Sequence, residues 1–209
     1  FSYATLNEPF CSAYLGYEIG VHAPGKVGKE FGKKAIHHLL LAHGLAMKVL
    51  RRNCPTSQSG IVLNFTPMYP KTEADKPAAE LAHLHFNDWY IRPILTGTYP
   101  SLIEQIPIAY RPDIADGDLA IIAQPIDYLG INYYFREFIT ADQQEGFKQL
   151  APAADSEITA MGWEVYPQAL TDLLLRFNEE FSLPPIVITE NGLASDDVIE
   201  NGVINDVQR

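Results

Sequence analysis

The amino-acid sequence predicts an α/β fold in which helices cover a parallel β-sheet. Helical and strand-like patterns alternate along the 209 residues, and this alternation is typical of consecutive βα units. No G-x-G-x-x-G motif follows a predicted strand, and polar side chains fall at or just beyond the carboxyl ends of the strands. Together these observations favour a (β/α)8 barrel, whose pocket lies at that end of the sheet, over a dinucleotide-binding sheet.

Each element is predicted from its local pattern. Apolar residues recur at helical spacing in three segments, and Pro93 is expected to kink the last turn of the second one. Short β-rich or apolar runs that stop at polar or proline residues mark the strands. The predicted order is a strand ending at Thr5 and Leu6, helix 34–52, strand 60–65, helix 78–96, strand 126–134, helix 166–181 and strand 186–189.

Three connections are longer than ordinary loops between strands and helices. They span residues 9–33, 66–77 and 135–166 and are rich in aromatic residues. Because such loops shape the pocket of a barrel, we expect them to bind a ligand. A complete barrel takes about 250 residues and eight strands. Residues 1–209 are therefore expected to form part of a single barrel domain, with no separate second domain.

Composition excludes several classes of function. The 26 acidic and 15 basic residues give a formal net charge of −11, which disfavours binding to nucleic acid or to an anionic membrane surface. The two cysteines have no metal-site spacing, and free thiols predict a reducing, cytoplasmic location. No apolar stretch is long enough to span a bilayer. The histidines lack the spacing of a zinc helix, so neither a metal nor a cofactor is predicted.

Two glutamates stand where an apolar run gives way to a turn. Glu8 follows Asn7 and precedes Pro9, and Glu190 ends a short apolar strand before Asn191. Cleavage of a glycosidic bond needs two carboxyl groups, one to protonate the leaving oxygen and one to attack or to activate water. Taken singly, each residue is equally compatible with a structural role, at a helix entry for Glu8 and in a polar turn for Glu190.

The motifs occur in an order that resembles family-1 glycoside hydrolases, the β-glucosidase family. They are T-L-N-E-P (5–9), G-V-H-A-P-G (20–25), I-V-L-N-F-T-P-M-Y-P (61–70), L-G-I-N-Y-Y (129–134), M-G-W-E-V-Y-P (161–167) and I-T-E-N-G (188–192). The resemblance implies a (β/α)8 TIM barrel, of which this chain covers roughly the end of strand 4 through strand 7. It also implies retaining hydrolysis by double displacement, with Glu8 as acid/base and Glu190 as nucleophile. Retention requires carboxyl groups about 5–5.5 Å apart.

The resemblance assigns further roles. Asn7 matches the residue that hydrogen-bonds the sugar 2-hydroxyl, and Tyr134 matches the donor to the nucleophile. Trp163 matches the aromatic platform on the leaving-group side. Many relatives carry Trp where this chain has Phe10, which leaves the preference for the leaving group open. The implied ligand is a small β-glucoside or a short β-linked oligosaccharide, and the oligomeric state is left open.

Other candidate residues follow from position. Asn132 is expected to orient the catalytic groups, and Asn64, at the end of an apolar strand, is expected to line the pocket. His22 lies in the first long loop, where lining the pocket entrance and stabilising the loop are both compatible with its position. Tyr134 has a structural alternative as a strand-end residue that packs its ring. Trp89, inside a helix, is expected to pack that helix against the barrel.

Two alternatives to a β-glucosidase-like enzyme remain at this stage. One is a non-catalytic sugar-binding remnant of the same fold, which would not need both Glu8 and Glu190. The other is a 6-phospho-β-glycosidase, against which Pro9 argues because that branch of the family diverges after the Asn-Glu pair. The glycone specificity stays open among glucose, galactose, fucose and a 6-phosphosugar.

Overall fold

The computed structural model describes residues 1–207. The strands are β1 (Ser2–Asn7), β2 (Gln58–Asn64), β3 (Met68–Pro70), β4 (Tyr128–Asn132), β5 (Glu137–Asp142), β6 (Gly146–Leu150), β7 (Ile186–Glu190), β8 (Ile199–Glu200) and β9 (Val203–Ile204). The α-helices are α1 (Pro9–Ala13), α2 (Lys29–Asn53), α3 (Lys76–His83), α4 (Trp89–Thr96), α5 (Asp118–Ile122) and α6 (Gln168–Glu180).

The main sheet contains four strands in the order β1, β2, β4 and β7, and all neighbouring pairs are parallel. Its register brings the strand ends level, because Asn64 pairs with Asn132 and Asn132 pairs with Glu190. The α/β prediction and the four predicted strands are therefore confirmed. Within the described residues, the outer edges of β1 and β7 pair with no further strand.

The predicted helices are present with shifted bounds. The predicted helix 78–96 consists of α3 and α4 joined by a π-helical turn over residues 84–88. Pro93 lies inside α4, near its end at Gly97, which adopts a left-handed conformation. Glycine is suited to that position because it lacks the Cβ that disfavours positive φ.

The long connections contain structure that the sequence did not predict. Segment 66–77 contributes β3, and segment 135–166 contributes the antiparallel pair β5 and β6; these three strands form a second sheet. Helix α1 and a π-helical turn at residues 14–18 occupy the first connection. These elements cover the carboxyl end of the main sheet, where a barrel carries its pocket.

The core lies between the main sheet and the helices. Ile61, Leu63, Leu129 and Ile131 of the central strands are at most 1% exposed, so their side chains account for much of the apolar burial that stabilises the fold. Trp89 is fully buried within this cluster, which confirms its predicted role in packing. No helix among residues 1–207 combines the length and the apolar character that a membrane crossing requires.

Candidate active site

Glu8 stands at the junction of β1 and α1 in an unusual backbone conformation. Its φ of 48° and ψ of 63° are left-handed, a conformation that costs an L-residue about 1–2 kcal/mol. The backbone is held on both sides, since Glu8 N–H donates to Val62 at 3.0 Å and Cys11 N–H donates to the Glu8 carbonyl at 2.9 Å. Pro9 follows at the first position of α1 and is buried, where its fixed φ favours helix entry. Strand β1 and helix α1 together fix the direction of the carboxyl group.

Both carboxyl oxygens of Glu8 accept hydrogen bonds. Asn132 Nδ2 donates to Oε1 at 2.8 Å, and the Cys11 thiol donates to Oε2 at 3.1 Å. The same Asn132 nitrogen donates to Asn7 Oδ1 at 3.1 Å, and Asn132 Oδ1 accepts from the Thr189 hydroxyl at 2.6 Å. Asn132 is fully buried. Its amide therefore connects the carboxyl end of β1 to the carboxyl end of β7, one residue before Glu190.

Glu190 ends β7 as the register partner of Asn132. The Tyr134 hydroxyl donates a hydrogen bond to Glu190 Oε2. This hydrogen bond, then burial and then the charge of Glu190, raise the pKa of Tyr134 to about 12. The phenol therefore keeps its proton at physiological pH and supplies it as a donor. The neighbouring Tyr133 is buried and donates to the Tyr166 carbonyl, as expected of a core residue.

A cavity of about 360 Å³ opens beside Glu8. Trp163 stacks on Phe135 with ring centroids 4.7 Å apart and lies 5.5 Å from the Tyr134 ring. Phe10 stacks on Tyr14 on another side of the cavity. Aromatic faces of this kind suit the apolar faces of sugars and aryl groups. The lining residues are Glu8, Phe10, Cys11, Tyr14, Leu15, Ile19, Asn64, Phe65, Thr66, Met68, Phe86, Asn132, Tyr134, Phe135, Glu137, Gln149 and Trp163.

Asn64 occupies the position that its place in the strand predicts. It lines the cavity, and its Oδ1 is buried without a hydrogen-bond partner among the described residues. A buried amide oxygen that lacks a partner costs free energy unless a ligand or water satisfies it. The side chain is therefore available to a bound molecule.

The two remaining candidate residues, Asn7 and His22, lie in different places. Asn7 is exposed at the end of β1 and reaches the cluster through Asn132. His22 is not brought into the cavity beside Glu8; it is exposed and lies in a shallow depression with Cys11, Ser12 and Ala23. The reason is local, because the loop turns back there and His22 N–H bonds to the Leu15 carbonyl.

Cys11 and Glu137 are among the cavity residues that were not found from the sequence. Cys11 lies three residues after Glu8, one helical turn along α1, and this spacing was a usable signal. Glu137 begins β5 and lines the cavity. Burial raises the pKa of Glu137 to about 7. Nothing in the local sequence distinguishes it from other exposed strand glutamates, because the second sheet that places it was not predicted.

One group of potential metal ligands lies away from this cavity. Ligand atoms of His83, Asp88 and Glu180 lie within 4.8 Å of one another. Asn87 Nδ2 donates to His83 Nδ1 at 3.1 Å, which leaves the imidazole proton on Nε2, and Arg92 occupies Asp88 Oδ2 at 2.6 Å. Arg92 therefore already neutralises the Asp88 carboxylate. These contacts disfavour a cation there.

The chain is similar in sequence to one family model and to proteins of known activity. A model of Glycosyl hydrolase family 1 matches residues 2–209. Beta-glucosidase A of Thermotoga maritima is 35% identical over 212 residues, with 100% of this chain and 48% of the relative covered. A β-glucosidase from an Agrobacterium species is 37% identical, with 99% and 46% covered.

Solved structures give the fold. The crystal structure of a β-glucosidase from Exiguobacterium marinum matches with a TM-score of 0.92 at 38% identity, with 100% of this chain and 49% of that protein covered. The (β/α)8 barrel prediction is thereby confirmed, and the four-stranded sheet is one part of such a barrel. The chain spans about half the length of the relatives that it matches.

Proposed function

Since the chain belongs to glycosyl hydrolase family 1, we propose that it carries the catalytic pair of a retaining β-glycosidase. Glu8 is the acid/base and Glu190 is the nucleophile. The observation that carries this proposal is the buried Asn132 amide, which bonds the Glu8 carboxyl group and Thr189, the residue before Glu190. Asn132 is also the register partner of Glu190. Two carboxyl groups at one end of a parallel sheet supply the chemistry of double displacement.

In the first step, a Glu190 carboxylate oxygen attacks the anomeric carbon, and a glycosyl ester forms as the bond to the leaving oxygen breaks. Glu8 transfers its proton to that leaving oxygen. The Tyr134 hydroxyl, which already donates to Glu190, stabilises the charged nucleophile before attack. Asn7, by its resemblance to the family residue, bonds the sugar 2-hydroxyl in this proposal, an interaction that strengthens in the transition state.

In the second step, Glu8 accepts a proton from water while the water oxygen attacks the anomeric carbon. The ester bond breaks and Glu190 is released as a carboxylate. Two inversions at the same carbon give net retention. The proposal requires carboxyl groups about 5–5.5 Å apart, because a larger gap of about 6.5–9.5 Å would admit the water of an inverting enzyme.

The substrate that fits this site is a small β-glucoside or a short β-linked oligosaccharide. Trp163, Phe135 and Phe10 offer stacking surfaces beside Glu8, and no Lys, Arg or His lines this cavity in the described part of the chain. Both relatives compared in sequence are named as β-glucosidases, which supports glucose as the glycone. Two free cysteines support action in the reducing cytoplasm.

The test uses residues 1–209 in place of the matching half of the Exiguobacterium marinum β-glucosidase, here called the barrel-completed protein. Glu190→Ala should remove nearly all hydrolysis of aryl β-glucosides, and added azide should restore turnover with the opposite anomer as product. Glu179→Gln, which removes an exposed carboxylate of α6, is the matched control. Rescue with unchanged stereochemistry would refute the assignment of Glu190.

Glu8 is tested by the leaving group. Glu8→Gln should reduce hydrolysis of alkyl β-glucosides far more than that of 2,4-dinitrophenyl β-glucoside, because only poor leaving groups need protonation. Equal losses on both substrates would count against the acid role. A barrel-completed protein that binds glucosides but hydrolyses none would indicate a sugar-binding remnant.

A further inference from the structure

Glu137 is an acidic residue of the cavity that the proposed reaction does not use. It begins β5, and its backbone N–H donates to the Pro67 carbonyl at 2.9 Å. Its carboxylate makes no hydrogen bond or ion pair with any residue from 1 to 207. The neighbouring Arg136 does not neutralise it, because that guanidinium bonds Glu164 at 2.6 and 3.2 Å. Glu137 is thus a half-buried carboxyl group without a partner.

Within the cavity, the surroundings of Glu137 are apolar or acidic. Burial is the cause that raises its pKa to about 7, so it is neutral below that pH and charged above it. The titratable groups that share the cavity are Glu8, Cys11, Tyr14 and Tyr134. Glu137 also lines a smaller adjoining depression together with Arg136, whose guanidinium is paired with Glu164. None of the described cavity-lining residues is a cation. The cavity therefore has acceptor capacity that no protein donor satisfies.

The cavity lies on the leaving-group side of the proposed reaction. Glu8 must hold its proton toward the leaving oxygen, so the space beside Glu8 receives whatever is attached to that oxygen. The volume of about 360 Å³ falls in the range of small-molecule sites, about 300–1,000 Å³. Trp163 and Phe135 supply the stacking face of this space, and Glu137, like Asn64, supplies a free polar group.

We propose that Glu137 selects leaving groups that carry a hydrogen-bond donor, a hydroxyl or ammonium group, beyond the ring that stacks on Trp163. The inference rests on the proposed function and names the leaving-group class of that same site. A sugar hydroxyl of a β-linked oligosaccharide meets this requirement, and an ammonium group meets it most strongly. An apolar substituent at the same place leaves the carboxyl group buried without a partner, which weakens binding.

The test compares 4-(aminomethyl)phenyl β-glucoside with 4-methylphenyl β-glucoside, which has nearly the same shape but no donor. The measured quantity is the ratio of their kcat/KM values for the barrel-completed protein. Because both substrates use Glu8 and Glu190 in the same way, the contribution of that pair to kcat/KM cancels in the ratio. Glu137→Gln should lower the ratio about 10-fold, the low end of what a charge-assisted hydrogen bond contributes.

The pH dependence of this ratio of kcat/KM values distinguishes a role in recognition from a merely structural role of Glu137, which would not produce it. The ammonium group stays protonated from pH 6 to 8, whereas Glu137 ionises across that interval. The ratio should therefore rise with pH in the parent protein and stay flat in Glu137→Gln. Glu137→Asp should retain part of the preference. The control Glu157→Gln removes an exposed carboxylate that does not line the cavity and should leave the ratio unchanged.

An unchanged ratio in Glu137→Gln, or an equal change in Glu157→Gln, would overturn the inference. If the barrel-completed protein hydrolyses neither glycoside, the proposed function fails. A binding measurement then tests the inference about Glu137 on its own. Calorimetric titration of the 209-residue chain with both glycosides should then show tighter binding of the ammonium compound, and Glu137→Gln should remove that difference. Equal binding of the two compounds by the unsubstituted chain would also overturn the inference.

Discussion

The burial of Cys11 and its hydrogen bond to Glu8 predict an unreactive thiol. Burial, the hydrogen bond to Glu8 and the charges of Glu8 and Glu190, in that order, raise the pKa of Cys11 from 9.0 to about 12. Only the thiolate reacts with iodoacetamide, so a rise of this size reduces the reactive fraction at pH 8 roughly 1,000-fold. We expect alkylation of Cys11 to be slower than that of the urea-unfolded chain by a factor of this order.

Substitutions of Glu8 and Glu190 separate the causes of the raised pKa of Cys11. In a Cys54→Ser background, where Cys11 is the single thiol, Glu8→Gln removes the hydrogen bond to a carboxylate and one charge but leaves burial in place. The rate should rise about 10-fold and stay below the unfolded rate. Glu190→Ala removes only the charge of Glu190, the last of these causes, and should therefore raise the alkylation rate less. Mass spectrometry measures the rates, and near-ultraviolet circular dichroism checks that each variant keeps its packing. A larger effect of Glu190→Ala than of Glu8→Gln would refute this ordering.

Three further predictions concern packing and the nucleophile. Gly44→Ala should lower the free energy of unfolding by about 1–3 kcal/mol in a urea titration, because the added Cβ would lie 1.9 Å from the Ile121 carbonyl oxygen. An increase in the free energy of unfolding, which the higher helix propensity of alanine alone would give, would contradict this prediction. Phe177→Ala should lower the free energy of unfolding by about 3–5 kcal/mol, since that ring is fully buried. A loss below about 1 kcal/mol would contradict this and show that neighbouring side chains fill the space left by the ring. Tyr134→Phe should reduce kcat/KM of the barrel-completed protein about 10- to 100-fold with an unchanged melting temperature; unchanged kinetics would remove Tyr134 from the mechanism.

The main sheet could be predicted because its strands carry local signals. Ile61 to Leu63 and Ile186 to Ile188 are apolar runs that end at polar residues, and parallel strands buried on both faces have this pattern. In the structure the first run is buried, whereas Val187 and Ile188 are 45% and 43% exposed on the edge strand β7. The register then brings Asn64, Asn132 and Glu190 to one level. Much of the candidate site follows from that single geometric fact.

The second sheet could not be predicted because its stability is not local. Strand β3 has only three residues, and it pairs with β5, nearly seventy positions later. Such a strand is ordered by tertiary contacts, chiefly with α3, rather than by its own pattern. The position of Glu137 in the cavity was missed for the same reason. For His22, loop membership left both the pocket entrance and a loop-stabilising role open, because it does not reveal where a loop turns back.

The left-handed backbone of Glu8 has a consequence for how this site can change over generations. Glycine would adopt that conformation without the steric cost, so a Glu8→Gly exchange relieves the backbone at the same time as it deletes the proposed acid/base. Selection for stability and selection for chemistry thus act in opposite directions at one position. In a descendant that no longer needs to cleave substrate, we expect substitutions that raise stability and abolish catalysis. We expect position 8 to be among the first to change in this way.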